Sequence, residues 1–206
     1  MNPESPYDTK YQGQEYYWGK SPSKTCDKVL EFIRPTEDFH PLLLDIGCGE
    51  GRDAVHFARL GFRVTGLDSS LPGLEKTRKL AEEFGVQVET IHADIKTWEP
   101  DAAYDVLFST GTLQYLPPAV RPLRFRQYKE ATTPGGIHVF SVFVHKSFIP
   151  RAPDASDDEI PFRPGELLEL YADWEIPYFA EDIFDCDSGG IPHKHAMHRM
   201  VARMHV

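Results

Sequence analysis

The chain has 206 residues, 41% of them hydrophobic and 26% charged, with a formal net charge of −10. That length fits one domain with a sizeable core, and the composition is ordinary for a soluble globular fold. The acidic balance disfavours nucleic acid and anionic membrane as partners, since no segregated basic block offsets it.

Residues 1–24 open polar, from Met1 to Pro6, and do not resemble a signal peptide. Tyr7, Tyr11, Tyr16, Tyr17 and Trp18 follow among Gly, Gln, Ser and Lys. Such a segment is either an arm docked on the body or a flap over a ligand. Residues 24–34 place Val29, Leu30 and Ile33 at helical spacing, and Pro35 stops the run. The run 41–46 is continuously apolar and ends in Asp45-Ile46, as a central parallel strand does. Gly47-Cys-Gly49-Glu-Gly51 leads into a helix over 52–60, and 62–68 is the next strand. A helix over 71–84, a strand over 86–91, a strand over 104–109 and a helix over 118–131 continue the alternation. Pro134-Gly135-Gly136 then turns into a strand over 137–144. Strands alternating with helices predict a parallel sheet with right-handed crossovers. Residues 150–161 are acidic and proline-rich, which predicts an exposed loop or lid. A short helix over 164–173 precedes two closing strands, 174–180 and 194–204, with a turn over 185–192. Cys26, Cys48 and Cys186 are odd in number and widely spaced, so no disulfide framework is expected. No apolar run approaches about 18 residues, so no membrane span is expected, and a cytoplasmic location is the simple reading.

The unusual residues fall at strand ends, where open α/β sheets bind ligands. Glycines at 47, 49 and 51 allow a tight turn and close approach of a ligand to the backbone. Asp68 can accept hydrogen bonds from both hydroxyls of a ribose, and Asp94 from an adenine amino group. Three successive strand ends therefore suit an adenosine nucleoside. A dinucleotide fingerprint would have a third glycine where Arg52 stands. Asp45 is ill placed for a pyrophosphate and well placed beside a cationic methionine moiety.

The stretch Leu44-Asp-Ile-Gly-Cys-Gly-Glu-Gly-Arg-Asp53 resembles motif I of class I S-adenosylmethionine-dependent methyltransferases. So do Gly66-Leu-Asp68-Ser69-Ser70, His92-Ala-Asp94-Ile95, and Tyr104 through Leu116. The resemblance implies an α/β, Rossmann-like, seven-stranded, mostly parallel sheet with helices on both faces and an antiparallel last strand. It implies one domain over 1–206, with an arm or lid at 1–24, a cofactor-binding half at 40–145 and a substrate-side half at 146–206. Its cofactor would be S-adenosyl-L-methionine, with S-adenosyl-L-homocysteine as product. Asp45, Gly47 and Gly49 would surround the methionine part. Asp68 would hold the ribose, and Asp94 with Ile95 the adenine. Ser109 and Gln114 would line the methionine end. Cys48, Arg52 and Ser69 lie within the same motifs, and Tyr17 or Trp18 of the arm is expected near the methyl donor.

Outside these motifs the chain is similar to the tellurite-resistance methyltransferases and their thiol-methylating relatives. The carriers are Tyr16-Tyr-Trp-Gly-Lys-Ser-Pro22, Ser109-Thr110, Leu113 to Leu116, Ile160 to Glu175 and Glu181-Asp182. The tellurite group has a His-Arg pair after the Glu-Asp dipeptide and an arginine in the last strand. Here those places read Asp187-Ser188 and Ala196, which argues against tellurite itself. The expected acceptor is a small soft nucleophile: a thiol, a selenium compound or a tellurium compound. An O- or N-methylated small molecule, or a cofactor-binding regulator without turnover, are the alternatives. The expected partner is that small-molecule acceptor, with no nucleic acid or membrane, in a monomer or homodimer.

If a base is needed, histidine is the suitable type. His193 and His195 share one strand face by the period-2 rule and are the candidate catalytic pair, while His198 falls on the other face. A half-exposed polar strand would carry the same residues. A metal would need a third ligand, for which Cys186, Asp185 and Asp187 stand nearby; none is assigned.

Overall fold

The computed structural model describes residue 5, residues 7–153 and residues 155–205. Residues 1–4 and 6 of the expected arm, residue 154 of the acidic loop and residue 206 lie outside the described residues.

Leu43 and Leu44 are neighbours in sequence, and both are fully buried. Successive side chains of a strand leave on opposite faces, so this strand must be covered on both sides. Leu43 packs in one apolar cluster with Val29, Phe57 and Phe108. Leu44 packs in another with Phe125, Phe140 and Leu167. The sheet lies between these two cores.

In chain order the helices are α1 (Asp8–Tyr11), α2 (Cys26–Phe32), α3 (Arg52–Arg59), α4 (Leu71–Glu83), α5 (Arg121–Glu130) and α6 (Glu166–Leu170). The strands are β1 (Leu42–Ile46), β2 (Arg63–Asp68), β3 (Val88–His92), β4 (Tyr104–Thr110), β5 (Thr132–Phe143), β6 (Glu175–Cys186) and β7 (His193–Arg203). Their order across the sheet is β3-β2-β1-β4-β5-β7-β6. The pairs from β3 through to β5 are parallel, and β7 runs antiparallel to both neighbours. This is the expected Rossmann-like α/β sheet. No helix among the described residues is long and apolar enough to cross a membrane.

Four features differ from the sequence reading for identifiable reasons. The arm contains α1, a single turn whose Tyr11 is buried. β5 starts at Thr132, because Thr132 already pairs with Tyr104 before the Pro-Gly-Gly irregularity. α6 is shorter, since Gly165 takes a left-handed φ of 82° just before it. β6 extends to Cys186, through an acidic stretch that reads as a turn. Cross-strand partners carry it: Lys194 Nζ meets Asp185 at 2.6 Å, and Arg199 meets Asp182.

Arg121 ties the second half of the chain together. It is 1% exposed, donates to the Leu116 carbonyl and the Glu166 carboxylate at 2.9 and 2.8 Å, and also donates to the Ile160 carbonyl. Its guanidinium lies over the Phe162 ring. The loop leading to α6 is thereby fixed against α5.

His138 on β5 is fully buried and bonded to Thr132 Oγ1 at 2.7 Å and to the Tyr171 hydroxyl. Burial, with a smaller contribution from Lys129, pushes its imidazole down to about 3. The unfolded chain binds a proton there below about 6.5, and the folded chain does not. Stability is therefore expected to fall as pH drops from about 6.5 towards about 3, by up to about 1.4 kcal/mol per unit from this group. Urea unfolding across that window should show a shallower pH dependence for His138→Gln than for the wild type. Equal slopes would refute the assignment.

Candidate functional site

The C-terminal ends of β1, β2, β3 and β4 open on one cavity of about 240 Å³. Its floor is the turn after β1. Gly47, Gly49 and Gly51 all adopt left-handed φ values, of 79°, 55° and 85°. A Cβ on Gly47 would stand 2.0 Å from Thr112 Oγ1, and one on Gly51 2.7 Å from Thr77 Cγ2. No side chain fits at either place, so the backbone itself forms the cavity floor.

Three carboxylates crowd this end. Asp45 lines the cavity and is 2% exposed, and its Oδ2 has no hydrogen-bond partner. Burial, then Asp53 and Asp68, push its carboxyl well above the usual range. Asp68 Oδ2 accepts from Gly49 N and Oδ1 from Ser70 N, both at 2.8 Å. Burial raises its carboxyl too, against the lowering effect of these amide bonds. A buried carboxylate oxygen without a donor, between two other acids, is a place for a cation. Asp94 and Ile95 form the opposite end, where Asp94 Oδ1 accepts from Lys96 N at 2.8 Å. The acidic loop reaches over this end: Asp158 lines the cavity and pairs with Lys96 at 3.3 Å.

The cavity thus brings together Trp18, Asp45, Gly47, Cys48, Gly49, Arg52, Asp68, Ser69, Asp94 and Ile95. Tyr17 stands beside it, edge-on to Trp18 at 4.7 Å. Ser109 is buried behind the wall, where its Oγ donates to the Ile46 carbonyl at 2.8 Å and pins β4 to β1. Gln114 is buried as well, and its Nε2 donates to the Gly111 carbonyl. The adjacent Thr110, Gly111 and Thr112 line the cavity instead.

The arm contributes more than the sequence reading expects. Tyr7 and Tyr11 also line the cavity. They stack at 5.4 Å, and Tyr7 meets Tyr115 edge-on at 6.0 Å. Trp18 donates through Nε1 to the Tyr11 hydroxyl at 3.2 Å, and Arg52 donates to the Trp18 carbonyl. The available signal was the four-residue spacing of Tyr7 and Tyr11, which puts both rings on one side of a helical turn.

His193 and His195 do share a face of β7, and His198 lies on the other, paired with Glu181 at 2.8 Å. Neither of the first two lines this cavity. His195 stacks on Phe143 at 4.5 Å, and it is Phe143 that faces the cavity. His193 borders a second depression with Phe148 and Pro192. Lys146 pairs with Glu181.

Residues 43–136 match the family of methyltransferase domains. The chain is 27% identical over 141 residues to the probable S-adenosyl-L-methionine-dependent methyltransferase TehB of Haemophilus influenzae, covering 68% of this chain and 48% of that protein. It spans about half the length of such curated relatives. The crystal structure of Haemophilus influenzae TehB aligns with a TM-score of 0.76 at 23% identity, over 96% of this chain and 65% of the other. A structure concerned with the conversion of a disulfide bond into a thioacetal group during echinomycin biosynthesis aligns with a TM-score of 0.67 at 20% identity, covering 97% and 90%. Over residues 43–136 and in its fold, the chain is similar to S-adenosylmethionine-dependent methyltransferases. The site fits that cofactor: an orphaned acid for its cationic end, a floor of bare backbone, and Asp68 and Asp94 at the next two strand ends.

Two substitutions separate folding from binding. Asp45 has a raised folded value against an unfolded one of about 3.9, so it subtracts stability increasingly as pH rises through that window. Asp45→Asn should stabilise the ligand-free protein at pH 8 by about 1–3 kcal/mol while weakening S-adenosylhomocysteine binding. Asp68→Ala should weaken that binding by roughly 1.5–3 kcal/mol. Urea titration and calorimetry read both; an Asp45→Asn protein that binds as tightly as the wild type would overturn the role given to Asp45.

Proposed function

We propose that this chain transfers a methyl group from S-adenosylmethionine to a small soft nucleophile: a thiol, selenide or tellurium compound. When bound, the cofactor supplies an electrophilic methyl group on a cationic sulfur. Asp45 and the floor of the glycine turn hold its methionine part, Asp68 its ribose, and Asp94 with Ile95 its adenine.

The observation that carries the acceptor class is the chemistry of the remaining wall. Tyr7, Tyr115, Thr110, Thr112 and Phe143 enclose the end beyond the glycine turn. Tyr7 and Tyr115 face each other with hydroxyls 3.2 Å apart. Burial pushes both phenols above their ordinary value, so they stay protonated, and Tyr115 donates to Glu159 at 3.4 Å. Among the described residues lining the cavity there is no imidazole to act as a base. A wall without a base suits an acceptor that arrives already ionised, as thiols and selenols do far more readily than alcohols. The work left to the protein is alignment, which can supply about 7–11 kcal/mol. The structural neighbour concerned with a disulfide and a thioacetal is consistent with chemistry at sulfur.

The test is a panel of acceptors, with methylated product identified by mass spectrometry. Hydrosulfide, small alkyl thiols or selenide should be methylated at least about tenfold faster than a catechol or an amine, a barrier difference of about 1.4 kcal/mol. Preferential O- or N-methylation, or cofactor binding with no turnover of any soft acceptor, would reject the proposal.

A further inference from the structure

We propose that Cys186, His193 and His195 form a binding site for a zinc ion at the turn end of the β6–β7 hairpin. This goes beyond methyl transfer and does not depend on it. The hairpin register sets Cys186 directly opposite His193, and His195 follows two residues on, on the same face. One donor atom from each residue lies within 4.8 Å of the others. All three side chains are half-buried, which leaves an ion a way in.

Each donor is already oriented. His193 Nδ1 lies 2.7 Å from the Ile191 carbonyl oxygen, which can only accept. Nδ1 therefore carries the proton, and Nε2 presents its lone pair. That lone pair points at Nε2 of His195, 2.8 Å away. His195 is held by its stack on Phe143 and its contact with Phe184. Cys186 Sγ has the Ser188 hydroxyl at 3.1 Å and accepts from the Ser188 amide at 3.5 Å. The thiolate is the form that binds metal.

One thiolate and two imidazoles are the donor set that zinc selects. Zinc bond lengths place tetrahedral donors roughly 3.4–3.6 Å apart, so the two imidazoles need open by only about 0.7 Å. On binding, the Cys186 thiol gives its proton to solvent, and the Nε2 proton of His195 is replaced by one on Nδ1. Two Zn–N bonds and one Zn–S bond form. Three protein ligands leave a fourth position for water or an added thiolate. The ion would sit one aromatic ring, Phe143, behind the cavity wall.

The experiment uses reduced, tag-free, metal-stripped full chain. Zinc is titrated in competition with a chromophoric chelator, and cobalt(II) is used as a spectroscopic substitute. One zinc per chain is expected, together with a near-ultraviolet thiolate-to-cobalt band and tetrahedral visible bands. Cys186→Ser should abolish the thiolate band, and it, His193→Gln and His195→Gln should each weaken zinc by about tenfold or more. Cys26→Ala, which removes a buried thiol elsewhere, should leave both readouts unchanged. Metal-free thermal unfolding of each variant checks that the hairpin still folds. No stoichiometric binding at micromolar zinc, or a Cys186→Ser protein with wild-type affinity and band, would overturn the proposal.

Discussion

The structure hangs on a stretch of backbone that no side chain is allowed to crowd. Between Ile46 and Arg52 the chain turns on three left-handed glycines. What sits against each is a different element: Thr112 from beyond β4 at Gly47, Tyr11 from α1 at Gly49, and Thr77 from α4 at Gly51. Thr77 also donates to the Gly49 carbonyl at 3.0 Å, and Asp68 accepts from the Gly49 amide. One short turn thus sets the spacing of β1 against β4, the seating of the arm and the approach of α4. A methyl group at any of the three positions would have to displace one of these neighbours, besides straining the backbone. The cavity floor and the packing of its walls are therefore a single constraint.

That constraint explains why the carboxylates are tolerated. Asp45, Asp53 and Asp68 are brought together by the turn and by the ends of β1 and β2, and the fold alone does not neutralise Asp45. Glu50, by contrast, is buried but paired with Lys76 at 2.7 Å. Glu50 is given a cation, whereas Asp45, which lines the cavity, keeps one carboxylate oxygen without a hydrogen-bond partner. A cationic ligand then recovers in binding part of what the empty-handed acid costs in folding, and ligand binding stabilises the native state by mass action.

What could be read from the sequence was local. Gly47 to Gly51, Asp68 and Asp94 announce themselves because the turn, the strand ends and the helix starts that give them meaning are adjacent in the chain. The sheet could be read for the same reason: Leu43 and Leu44 sit in one continuously apolar run. The misjudged features depend on partners far away. Asp185 looks like a turn residue until Lys194 stands across from it. Ser109 looks like a cavity residue until its hydroxyl is seen to hold the Ile46 carbonyl. Tyr7 becomes a wall residue only because Tyr115, 108 positions later, is there to meet it.

The hairpin at the sheet edge follows the same logic with the opposite outcome. β6 is an edge strand with Phe179 and Ile183 exposed, and an edge of that kind invites pairing with another chain. Its charges answer this: Glu181 meets His198 and Lys146, Asp185 meets Lys194, and Asp182 meets Arg199. These pairs also fix the register, because a one-residue slip would send every side chain of β6 to the other face. The register that satisfies them is the one that puts Cys186 across from His193 and beside His195. Three metal-binding side chains therefore meet at the far end of the hairpin without any local motif to signal them. The β6–β7 register decides that these residues share a face, and on that face His195 packs on Phe143, which lines the cavity.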